Sequence, residues 1–128
     1  MLTNYQGITV YHRHLPALEH YILRSFVVMS NHVHLLISPS IPLLRLWKSL
    51  KSITAKRANE LLELTGQPFW QEESYDRLVR NKHEFERIQR YIEMNPVRAG
   101  LVLDPEQFRW SSARATWGSP ADQGVRLT

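Results

Sequence analysis

The sequence predicts an α+β domain, and three observations carry that prediction. Residues 24–29 are rich in β-branched and aromatic side chains, and after Ser30-Asn31 a second such run follows at 32–38, the pattern of a β-hairpin with a two-residue turn. Between Pro42 and Leu64 the apolar residues recur at helical spacing. Asn81-Lys82-His83-Glu84 is an N-cap with a glutamate three residues on, which opens a second helix.

Taken in order, residues 1–14 offer a strand only at Ile8-Thr9-Val10-Tyr11, and beyond that segment nothing there reads as one, so the first strand is expected to be short or missing. Residues 15–21, with Pro16 near a first turn, read as a short helix. In the hairpin, His32 and His34 are separated by one apolar residue, and side chains at i and i+2 of a strand project from one face. Pro39 and Pro42 bracket a loop. Leu43, Leu46, Trp47, Leu50, Ile53, Ala58, Leu61 and Leu62 then form the helical stripe, which Gly66 and Pro68 end.

On that helix Arg45, Lys48, Lys51, Lys56 and Arg57 follow one another with no acid between them. They are either a solvated face or, through Arg45, Lys48, Ser52 and Lys56 at intervals of three or four, a stripe facing phosphates. Trp70 reads as core, and residues 72–80 as an edge strand. Phe85, Ile88 and Ile92 are the buried stripe of the helix that starts at Asn81; Tyr91 and Asn95, at i and i+4, sit one above the other beside it. Pro96 ends or interrupts that helix. Asp104-Pro105-Glu106-Gln107 resembles a further N-cap before Phe108 and Trp110. Residues 1–118 are expected to form one domain and 119–128 a flexible tail.

Composition narrows the classes. At 128 residues the chain can bury its own core, and 43% apolar with 22% charged residues is ordinary for a globular domain. No apolar run approaches the roughly 20 residues that a bilayer requires, and no signal-peptide pattern opens the chain. The absence of cysteine excludes disulfides and thiolate metal sites. A net charge of +4 is compatible with a polyanionic partner.

Individually, the polar features have plain structural explanations. A His-X-His pair is commonly packed or solvent-facing, and a tyrosine at a stripe's edge commonly packs with its hydroxyl in water. His12, His14, His20 and His83 show no ligand spacing. Together, two imidazoles on a strand, a tyrosine and an amide on one helix face and a cation-rich helix can hold a divalent metal against a phosphate while a phenol attacks it.

Residues 25–37, Ser-Phe-Val-Val-Met-Ser-Asn-His-Val-His-Leu-Leu-Ile, resemble the His-hydrophobic-His (HUH) signature of single-tyrosine transposases. Phe69-Trp70-Gln71 with residues 75–80 resembles their second block, residues 91–102 the helix holding the nucleophile, and Trp110-Ser111-Ser112-Ala113 a short motif that often follows. Within this superfamily the nearest likeness is to the REP-associated tyrosine transposases, over roughly residues 24–115. One departure is Ser30, where the family usually has proline.

The resemblance implies a ferredoxin-like (RRM-like) α+β sandwich: an antiparallel sheet with the HUH strand central and helices on one face. It implies His32 and His34 as metal ligands, Asn95 as a third ligand, Tyr91 as the nucleophile, and Mg²⁺ or Mn²⁺ as the cofactor. The implied activity is cleavage and rejoining of single-stranded DNA beside hairpins, in the bacterial cytoplasm at the nucleoid. Arg45, Lys48, Lys56, Arg77, Arg80 and Arg98 are candidate DNA contacts, individually as well explained by solubility. A sheet lacking its first strand would leave an edge that invites a homodimer. The alternatives are a non-catalytic DNA-hairpin-binding remnant and a phosphodiesterase that uses water.

Overall fold

Met29 donates its backbone N–H to the His32 carbonyl at 2.8 Å, closing the two-residue Ser30-Asn31 turn on which the expected hairpin is built. The structure, a computed structural model, describes residues 7–12, 21–71 and 75–114. Its elements run β1 (Gly7–His12), β2 (Tyr21–Val28), β3 (His32–Pro39), α1 (Leu43–Leu62), β4 (Tyr75–Leu78), α2 (Lys82–Glu93) and the single turn α3 (Asn95–Arg98), followed by a 3₁₀ turn, Pro105–Gln107. Of the short helix expected at 15–21, residues 15–20 lie outside the described residues and Tyr21 begins β2. The tail at 119–128 also lies outside them.

The sheet order is β2-β3-β1-β4, so the histidine strand is central, as expected. The sheet is mixed rather than antiparallel: β2 and β3 pair antiparallel, whereas β1 runs parallel to both β3 and β4. The reason is the α1-bearing connection, which returns the chain to the end where β3 began, so that β4 enters parallel. The first strand is short but present, six residues placed inside the sheet between β3 and β4. The outer side of β2 is covered too. Val28 donates to the Trp110 carbonyl at 2.8 Å, Ser112 donates to the Phe26 carbonyl at 3.0 Å, and Val27 and Ser111 form an antiparallel bridge.

Strand alternation separates two apolar clusters. Ile8 and Val10 of β1 and Leu35 and Ile37 of β3 join Leu46 and Trp47 of α1. Val27 of β2 and Leu36 of β3 join Ile88 and Ile92 of α2. Helix α2 covers the histidine face, and Leu46 and Trp47 of α1 join the Ile8, Val10, Leu35 and Ile37 cluster. Burying Leu36 and Ile92 completely is worth about 1.5–3 kcal/mol each.

Helix α1 buries less of its stripe than its periodicity suggests. Leu46 and Trp47 are buried, but Ile53, Leu61 and Leu62 are exposed. It also ends before Gly66: Glu63 turns left-handed at φ 58°, and the Leu64 N–H reaches back to the Asn59 carbonyl at 2.8 Å. Trp70 packs half-buried against the first cluster and donates its indole N–H to Thr54 Oγ1 at 2.8 Å. The expected edge strand is confined to β4, with 72–74 outside the described residues.

Helix α2 starts as its cap dictates, with Glu84 N–H donating to Asn81 Oδ1 at 2.8 Å. The Glu84 carboxylate pairs with Arg77 on β4 at 2.9 Å, tying helix to sheet. Pro96, having no N–H to donate, interrupts the helix, and the chain resumes as α3. Asp104 and Gln107 form a capping box around the 3₁₀ turn rather than around a longer helix.

Candidate active site

On β3, His32 and His34 project from the face covered by α2, while Val33 and Leu35 between and after them point into the opposite cluster. The two imidazole rings lie 5.0 Å apart between centroids and nearly perpendicular, at 79°. His32 is fixed by its neighbour: its Nδ1 is 2.8 Å from Asn31 Oδ1. With the proton on Nδ1, that contact leaves the Nε2 lone pair outward.

His34 is buried, and its Nδ1 has no hydrogen-bond partner among the described residues. Burial, and then the proximity of His32 and Arg98, pushes its pKa down to about 4. At neutral pH it therefore carries no proton charge and keeps a lone pair free. A neutral imidazole with an unsatisfied ring nitrogen is the donor that a metal requires.

Tyr91 reaches the same place from α2. Its ring meets His34 edge-on, 5.6 Å between centroids at 81°. Arg98 of α3 clasps it: the guanidinium carbon lies 4.2 Å over the Tyr91 ring, and Nη2 donates to the Tyr91 carbonyl at 2.9 Å. The interruption at Pro96 thus brings the following turn back over the helix it left. Tyr91 remains 41% exposed, enough for an incoming strand to reach it. Asn95, half-buried, is the first residue of α3, one turn beyond Tyr91.

The structure accordingly brings His32, His34, Tyr91 and Arg98 together. Arg77 stands on β4 beside Tyr11 of β1 and pairs with Glu84, and Arg80, exposed, follows β4. Arg45, Lys48 and Lys56 are exposed on α1, whose buried side belongs to the opposite sheet face, away from the imidazoles. Among the described residues no three His, Cys, Asp or Glu side chains gather as a metal cluster. The donors shown side by side are the two imidazoles, a pair that suits a divalent ion held weakly rather than a permanent zinc.

Two features escaped the sequence reading. Tyr11 of β1 stacks on His34, 6.1 Å between centroids at 30°. Its hydroxyl pKa is raised by burial first and by Tyr91 next, with Arg77 opposing. Alternation within the short strand would have set Tyr11 opposite Ile8 and Val10, but its pairing with β3 had no local signal. The second is a polar cluster at the end of α2. Ser112 Oγ donates to Glu93 Oε2 at 3.0 Å and lies 2.9 Å from Ser25 Oγ, with both serines buried. The Trp110–Ala113 motif was its only visible trace.

No curated protein and no solved structure matches the chain. The family described as Transposase IS200 like matches residues 7–95, which takes in β1 to β4, α1, α2 and the start of α3. The protein is therefore a member of the IS200-like transposase family, with DNA transposition as its class of function.

Proposed function

We propose that the protein cleaves and rejoins single-stranded DNA with Tyr91 as nucleophile, at sites beside DNA hairpins, in the manner of the REP-associated transposases. The observation that carries this reading is the edge-on contact of Tyr91 with His34, 5.6 Å between ring centroids, which puts a phenol beside two imidazoles able to bind metal. His32, His34 and Asn95 would hold Mg²⁺ or Mn²⁺. When bound, that ion supplies polarisation of the scissile phosphate and stabilisation of the charge on its oxygens.

The chain's own groups do the rest. Tyr91 attacks phosphorus, the bond to the 3′-oxygen breaks, and a 5′-phosphotyrosine and a free 3′-hydroxyl result. The hydroxyl of another strand reverses the step, and the bond energy retained in the link makes nucleotide hydrolysis unnecessary. His34, neutral at working pH, remains a lone-pair donor instead of a repelling cation. Arg98 fixes the Tyr91 ring and brings positive charge beside it. Arg77 and Arg80 would contact backbone phosphates near the site. Arg45, Lys48 and Lys56, on the other side of the sheet, would take a distant part of the DNA such as a hairpin stem. The reading of a non-catalytic remnant drew on a short amino terminus without the family's first strand and longer first helix; β1 supplies a strand, and residues 13–20 lie outside the described residues.

The test is a covalent protein–DNA band on a hairpin-bearing oligonucleotide with Mn²⁺. Wild type forms the band and Tyr91→Phe does not. An adduct persisting in Tyr91→Phe would refute the assignment of Tyr91. Cleavage by wild type without any adduct would make water the nucleophile.

A further inference from the structure

Two phenols, not one, flank the buried imidazole. Tyr91 meets His34 from α2 at 5.6 Å, and Tyr11 meets it from the neighbouring strand at 6.1 Å. Tyr11 faces Leu36 of β3 and Arg77 of β4 in register, so all three share the α2-covered face. Its ring packs against the Val27, Leu36, Ile88 and Ile92 cluster, which leaves the side chain little freedom. The ring is half-buried.

We infer that Tyr11 is a second catalytic residue, whose hydroxyl donates a hydrogen bond to a non-bridging oxygen of the phosphate attacked by Tyr91. The inference rests on the reading of Tyr91 given above. As the Tyr91 oxygen bonds to phosphorus and the bond to the 3′-oxygen breaks, the Tyr91 proton ends on the departing 3′-oxygen. Tyr11 keeps its own proton throughout. Its hydrogen bond strengthens as charge gathers on the equatorial oxygens, so it acts on the rate more than on binding. A donor fixed before the reaction by packing on His34 costs no reorganisation when that charge develops.

Tyr11→Phe keeps the ring and removes only the hydroxyl. In single-turnover adduct formation with saturating Mn²⁺ and oligonucleotide, the variant should be slower by about 10- to 100-fold. Rejoining of the purified adduct should slow by the same factor, with affinity for uncleaved DNA and thermal midpoint unchanged. Sulfur in place of one non-bridging oxygen, a poorer acceptor, should slow wild type in one diastereomer and have less effect in Tyr11→Phe. A wild-type rate, an undiminished sulfur effect, or a loss of DNA affinity or fold in step with the rate would overturn the inference. A wild type that forms adduct beside an unaffected Tyr11→Phe removes Tyr11 alone; a wild type that forms none removes Tyr91 and Tyr11 together.

Discussion

Replacing His34 by glutamine should flatten the acid side of the stability profile. The folded protein holds this imidazole neutral, with a pKa of about 4 against 6.5 when exposed, because it is buried first and faces His32 and Arg98 next. Between those values the unfolded chain binds a proton that the folded chain refuses, so stability rises with pH and is lost as pH falls below 6.5. From pH 7 to pH 5, the effect amounts to about 2 kcal/mol, at 1.36 kcal/mol per unit of separation. Urea unfolding of wild type and His34→Gln at both pH values isolates it, since the remaining carboxylates and histidines titrate in both proteins. Wild type should lose about 2 kcal/mol more than the variant. Equal losses would show that His34 is hydrated and protonates freely, and its standing as a neutral metal donor would fall with that.

Three other perturbations follow from the same contacts. Ser112→Ala removes the acceptor of the Phe26 N–H and a donor to Glu93, and should cost about 1–3 kcal/mol in urea unfolding; an unchanged midpoint would exclude residues 110–112 from the cooperative fold. Glu63→Gly relieves the left-handed backbone at the end of α1 and should stabilise by about 1 kcal/mol, read as a higher thermal midpoint. Joint replacement of Arg45, Lys48 and Lys56 by alanine should lower the salt dependence of hairpin DNA binding by about 3 in log–log slope. The adduct rate at saturating DNA should not change.

What could be read from the sequence was what neighbouring residues decide. The hairpin was readable because its two strands adjoin through Ser30-Asn31, and the start of α2 because Asn81 and Glu84 are three residues apart. His32, His34 and Tyr91 were nameable because two imidazoles at i and i+2 must share a face and a resemblance supplied the phenol. The place of β1 was not readable, since its parallel pairing of Gly7 with His32 and Thr9 with His34 joins segments distant in the chain. For the same reason Tyr11 went unnoticed, as a short strand of uncertain partner gives no sign of which face meets α2. Periodicity marked α1 as amphipathic but could not show that Leu61 would lack a packing surface where Leu46 found one. The placement of Arg98 also depended on tertiary structure, because the break at Pro96 had to fold the chain back before a guanidinium could lie over Tyr91.

In the proposed reaction the phenol beside His34 carries the DNA chain between cleavage and rejoining. Peptide mapping of the covalent adduct by mass spectrometry tests it directly, because trypsin releases residues 91–98 as one fragment whose only hydroxyl-bearing side chain is Tyr91. The nucleotide should be found on that fragment. A nucleotide found on the fragment containing Tyr11, or on any other residue, would contradict it.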